Sequence, residues 1–186
     1  MTNRDFPLPE DLPRPVDDGA ADHLTGRRLP DLGLPSTGER AVVLAELGQP
    51  RTVLYLYPMT GQPGIPLPDG WDLIPGARGC TPESCAFRDH YAELQAAGAD
   101  VYGLSSQSSD YQKEAVARLH LPFSLLSDES LTLADTLRLP TFTVGGVRRF
   151  ARLTMVIADG VIEHVFYPVF PPDQHAAEVL SWLREN

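Results

Sequence analysis

Cys80 and Cys85 are the two cysteines of this 186-residue chain, and they stand five positions apart in Gly79-Cys80-Thr81-Pro82-Glu83-Ser84-Cys85-Ala86-Phe87-Arg88-Asp89. Residue types and spacing here fit sulfur redox chemistry. Thr81 suits a helix N-cap, Pro82 the first helical position and Glu83 an acidic first turn, so Cys80 sits at the mouth of a helix. Unpaired N–H groups and the positive end of the helix dipole favour a thiolate there, and Arg78 and Arg88 add positive charge. The competing reading is two small buried hydrophobes, the commonest fate of free cysteine.

At helical spacing Cys80, Ser84, Phe87, Tyr91 and Leu94 form one stripe, with Cys85 on a neighbouring face. Residues five apart in a regular helix lie roughly 8–9 Å from Cα to Cα, whereas a disulfide needs less than about 7 Å. If the two thiols pair, the first turns must unwind. Arg152 is the other residue singled out. It opens Arg-Leu-Thr-Met-Val-Ile, whose other face (Leu153, Met155, Ile157) is apolar, so it either ends the strand at its rim or points into a polar pocket beside Thr154. Histidines 23, 90, 120, 164 and 175 are scattered without ligand spacing, and two cysteines alone do not complete a zinc site.

The formal net charge of −10 argues against nucleic acid and anionic membrane as partners. No run approaches transmembrane length and the N-terminus lacks a signal-peptide pattern, so the expected location is cytoplasmic. In that reducing compartment a cysteine pair points to catalysis or metal binding rather than a structural staple.

The elements that would position these residues follow in order. Residues 1–28 read as a Pro-rich, acidic N-terminal arm and 29–186 as one globular domain. Short strands are predicted at Leu32 to Leu34, Ala41 to Leu44 and Thr52 to Tyr57, the last apolar throughout as a central strand would be. Between Gly61 and Gly79 four prolines and five glycines rule out regular structure. The Cys80 helix then runs to Gly98, followed by a strand at Asp100 to Leu104. A helix from Ser109 to about His120 starts on Ser109 and Gln112 in capping-box spacing. A strand at Phe123 to Leu126 and a helix from Ser130 to Arg138 come next. Strands at Phe150 to Ala158 and Val161 to Tyr167 join through the hairpin signal Asp159-Gly160, and a helix from Pro172 to Arg184 closes the chain. The pattern predicts an α/β, thioredoxin-like fold: a mixed central β-sheet with helices on both faces.

With these segments laid out, the sequence resembles the peroxiredoxins of the Q type, the bacterioferritin-comigratory-protein-like, atypical two-cysteine group. Val53-Leu-Tyr-Leu-Tyr-Pro58, the Gly79 to Asp89 segment, Val101-Tyr-Gly-Leu-Ser105, Leu125-Leu-Ser-Asp128 and Arg152 to Gly160 occur in family order. The resemblance implies that Cys80 is the peroxidatic cysteine, attacking hydrogen peroxide or an organic hydroperoxide as a thiolate and becoming a sulfenic acid. Cys85 then matches the resolving cysteine, with a Cys80–Cys85 disulfide, a thioredoxin-type reductant, no metal, haem or flavin, and a monomer rather than a dimer. Arg152 matches the arginine that holds the thiolate. One departure stands out. The family has Pro-x-x-x-Thr-x-x-Cys, but Ala77 and Leu73 occupy the threonine and proline places. Thr60, just after Pro58, is expected to supply the hydroxyl while the 61–79 loop bulges outward, with Ile65, Leu67 and Trp71 as an apolar rim. Two other classes compete. A non-enzymatic redox sensor would use the same disulfide as a conformational switch, and a thiol-disulfide oxidoreductase would normally carry Cys-x-x-Cys.

Overall fold

The computed structural model describes residues 8–186. Strands β1 (Gly33–Leu34) and β2 (Val42–Val43) pair as a small ribbon ahead of β3 (Arg51–Leu56), which leads through a long connection to helices α1 (Cys80–Asp89) and α2 (Tyr91–Ala96). Then come β4 (Ala99–Ser105), α3 (Ser109–Leu119), β5 (Leu125–Ser127) and α4 (Thr132–Leu137). The chain ends with β6 (Thr141–Val144), β7 (Val147–Phe150), β8 (Leu153–Ala158), β9 (Val161–Phe166) and α5 (His175–Glu185).

The central sheet has the order β5-β4-β3-β8-β9, parallel among β3, β4 and β5 and antiparallel at β8 and β9. This is the mixed sheet the sequence predicts, with β3 in the middle. Strand alternation divides the core in two. Val53, Tyr55, Tyr57 and Val156 face α1, α2, α3 and α5, while Leu54, Leu56, Met155 and Ile157 face α4 and the N-terminal segment.

The expected arm is not a free extension. Its first seven residues lie outside those described, but Leu24 is fully buried and residues 26–29 run beside β9. There Gly26 N–H donates to Ile162 O at 2.8 Å, Ile162 N–H to Arg27 O at 2.8 Å and Leu29 N–H to Gly160 O at 2.8 Å. At the opposite edge Thr37 N–H donates to Leu125 O at 2.9 Å and Ser127 N–H to Pro35 O at 2.9 Å.

Other local expectations shift. The Cys80 helix breaks at His90, and it begins at Cys80, with Gly79 rather than Thr81 as its N-cap. Gly79 sits at φ +108°, which a side-chain-bearing residue resists, and Pro82 lands in the first turn, where a missing N–H leaves no bond unmade. Ser108 rather than Ser109 caps α3, its Oγ accepting the Tyr111 N–H at 3.3 Å. A β6–β7 hairpin around Gly145-Gly146 was not expected. The single strand predicted from Phe150 to Ala158 is split at Ala151-Arg152. The 61–79 loop is exposed over residues 63–66, and it is anchored at Trp71 and Ala77, which bury against Val144 and the neighbouring Phe142 of that hairpin.

Candidate active site

Strand parity puts Arg152 on the side of the sheet that α1 covers, since it shares its face with Thr154 and Val156. Its side chain is almost fully buried. Nη2 donates to Cys80 Sγ at 3.2 Å and to the carbonyls of Ala77 and Arg78 at 3.2 Å each, while Nε reaches Gly76 O at 3.3 Å. Nη1 donates to Glu83 Oε2, one turn into α1. A single guanidinium therefore holds the reactive sulfur, the turn that precedes it and the first turn of its helix.

The Cys80 thiol points at Ala77 O at 3.6 Å. Burial pushes the Cys80 thiol above its ordinary value. Arg152 and the Met59 amide oppose that rise, and the Glu83 carboxylate adds to it. The depressed thiol expected from the helix mouth and flanking cations is thus outweighed by dehydration, which sequence does not display. Glu83 is itself buried, with Oε1 lacking a hydrogen-bond partner. Its carboxyl is pushed up by burial and pulled down by Arg152 and His175.

His175 is a buried, satisfied imidazole beneath α1, with Nε2 2.8 Å from Thr154 Oγ1 and Nδ1 2.9 Å from Glu178 Oε2. Cys85 lies in the core face of the same helix, and both thiols are free. Burial raises the Cys85 thiol, with Arg88 opposing. Two further contacts fix α1 on β3: Tyr55 Oη meets Ser84 Oγ at 3.0 Å, and the Tyr55 and Phe87 rings stack at 4.5 Å.

Thr60 is buried beside the site, but its hydroxyl donates to Gln107 Oε1 at 3.3 Å, so the hydroxyl expected at Cys80 is committed elsewhere. Gln107, which sequence reading passes over as part of a polar turn, is the residue on which Thr60 is anchored.

Cys80 opens onto a cavity of ≈ 420 Å³. Met59, Ile65, Leu67 and Trp71 form its apolar wall. Arg118, also lining it, ties α3 to the loop by donating to Gly61 O at 2.8 Å and to Glu114 at 2.6 Å. Among the described residues no group of three or more His, Cys, Asp or Glu could hold a metal ion, and no helix is long and apolar enough to cross a membrane.

A thioredoxin-like sheet with a helix-mouth cysteine gripped by a buried arginine defines a thiol-redox protein. In agreement, the sequence profile of the family described as Redoxin matches residues 24–180. Peroxiredoxin Bcp of Escherichia coli is 31% identical over 84% of this chain and 93% of its own length. Chloroplastic peroxiredoxin Q of rice is 31% identical over 86% of this chain, which spans 66% of that longer protein. Among solved structures, peroxidoxin BcpB of Mycobacterium tuberculosis superposes with a TM-score of 0.70 at 28% identity, covering 88% of this chain and 98% of that one. The chain belongs to the Redoxin family, in its peroxiredoxin Q/Bcp group.

Proposed function

We propose that this chain reduces hydrogen peroxide and organic hydroperoxides through Cys80, with Cys85 resolving and a thioredoxin-type dithiol recycling the enzyme. The observation that carries this reading is the Cys80 sulfur itself, lining the cavity and accepting from Arg152 Nη2 at 3.2 Å. The Cys80 thiolate attacks the distal peroxide oxygen, forming an S–O bond as the O–O bond breaks. The departing alkoxide or hydroxide takes up a proton and leaves as alcohol or water. Arg152 stands where negative charge shifts between sulfur and oxygen.

The Cys85 sulfur then attacks the sulfenic acid, giving the Cys80–Cys85 disulfide and water. Both cysteines lie in one regular helix, so α1 must unwind at its start for this step. A dithiol reductant returns both thiols and becomes a disulfide itself. The apolar wall of the cavity supports organic hydroperoxides as substrates beside hydrogen peroxide.

The test is intact-mass and non-reducing peptide mapping after one equivalent of hydrogen peroxide, on the parent, Cys80→Ser and Cys85→Ser proteins. The expected products are a Cys80–Cys85 disulfide in the parent, a Cys80 sulfenic acid in Cys85→Ser and no oxidation in Cys80→Ser. Thiols in the parent that oxidise only at the rate of ordinary free cysteine would remove the peroxidase reading. Turnover with a thioredoxin system separates an enzyme from a sensor that oxidises once and cycles slowly.

A further inference from the structure

Residues 8–18 pass the mouth of α1 and are fastened beside it. Leu8 lines the cavity that holds Cys80, together with Ile65, Leu67 and Trp71. Its side chain lies against Gly79, the N-cap of α1, so closely that a Cβ on Gly79 would stand 3.2 Å from Leu8 Cδ2. Farther along, a Cβ on Gly76 would stand 3.6 Å from Pro15 Cβ, so the segment also touches the turn that leads into Cys80. The Arg14 guanidinium carbon sits 5.1 Å over the Phe170 ring. Asp18 Oδ1 accepts from Tyr167 Oη and from Ala20 N–H, each at 3.0 Å. Pro9, Pro13 and Pro15 restrict the undocked chain, which reduces the entropy lost when an extended strap is laid down.

The strap lies ahead of residues 24–180, the part shared with the Redoxin family, yet it brings a side chain to the reaction chamber. The chemistry of attack says what that side chain can do. The distal oxygen of a hydroperoxide must reach Cys80 Sγ, so the group carried on the other oxygen is left in the cavity. Hydrogen peroxide carries no such group. An organic group meets apolar surface there and gains by leaving water. We infer that Leu8 is a specificity-determining residue: the N-terminal strap brings it to the cavity, where it completes the apolar wall that receives the organic group of a hydroperoxide. The inference rests on the reading of Cys80 as the peroxide-reacting sulfur.

The measurement is stopped-flow oxidation of the full chain by cumene hydroperoxide and by hydrogen peroxide, read as the ratio of the two second-order rate constants. Leu8→Ala lowers this ratio about fivefold, since it removes apolar carbons that only the organic group can cover. Leu8→Met, similar in size and polarity, restores most of it. Arg14→Ala combined with Asp18→Ala unfastens the strap and lowers the ratio in the same direction, although neither residue lines the cavity.

A merely structural Leu8 would slow both oxidations equally and leave the ratio where it was. That outcome overturns the inference, as does a ratio kept at the parent's value when the strap is unfastened. A second readout uses no peroxide. In a Cys85→Ser background, Cys80 is alkylated by N-phenyl iodoacetamide and by iodoacetamide, followed by mass spectrometry, and Leu8→Ala lowers the preference for the aryl reagent by a similar factor. A parent protein that ignores both peroxides sinks the proposed function, and the alkylation preference then decides the role of Leu8: a fall in Leu8→Ala upholds it, and an unchanged preference overturns it.

Discussion

Arg152 reaches one sulfur, one carboxylate and three consecutive carbonyls, with Nη2 shared among three acceptors and Nη1 and Nε on one each, an arrangement that suits a planar fork. Arg152→Lys keeps the charge but loses the fork. We expect oxidation of Cys80 by hydrogen peroxide to slow by on the order of 10². The direction of the accompanying titration follows from the thiolate being the nucleophile. Burial already holds the thiol high, and losing the Arg152 hydrogen bond that helps to lower it raises it further, leaving less thiolate at neutral pH. The rate of Cys80→thioether formation therefore keeps climbing to higher pH in Arg152→Lys than in the parent; a profile shifted to lower pH would contradict this account. At this scale the sequence displays the two thiols and the arginine, because their types are rare and their neighbours apolar. It does not display the Met59 amide, which is backbone, nor Gln107, whose partner is 47 positions away. Contacts of that kind follow from tertiary placement and carry no local signature.

Helix α1 is the element on which the site turns, and Gly79 is where it begins. The conformation at φ +108° excludes a side chain, and a Cβ there would stand 2.4 Å from Pro172 Cγ. Gly79→Ala is expected to destabilise the reduced protein by about 2 kcal/mol or more, read from urea denaturation. An unchanged midpoint would show that the backbone at 79 relaxes without strain. Elements with strong periodicity or a strong turn signal were legible. The apolar run of β3 was one, and the Asp159-Gly160 hairpin another, with both residues at positive φ. The break at His90 and the β6–β7 hairpin were not, since the first interrupts an unbroken helical pattern and the second alternates threonine and arginine with apolar residues in a way that reads equally as loop. The anchoring of the 61–79 loop at Trp71 is likewise a matter of partners, because Trp71 finds Phe142 at 6.0 Å only once that hairpin exists.

For the whole molecule, the N-terminal segment belongs to the packing of one sheet face. Leu24 is buried with no exposure among Leu44, Met155 and Ile162 of the same cluster. Leu24→Ala is expected to cost about 2–5 kcal/mol, measurable as a lower urea midpoint, although the residue lies more than fifty positions from the chemistry. Stability unaffected by this change would mean that the segment merely rests on the domain. Its proline content and acidity suggested an extension, and both remain compatible with a strap, since a strap needs extended backbone and only an occasional buried leucine. The same segment has a colloidal consequence. By bonding to β5 through residues 35–37 and to the start of β9 through residues 26–29, it occupies backbone donors and acceptors at both ends of the sheet. What remains open along β9 begins at Glu163, already paired with Arg51 at 2.7 Å. Strand-to-strand growth of the sheet, the route by which exposed edges nucleate fibrils, is thereby hindered at β5 and at the start of β9.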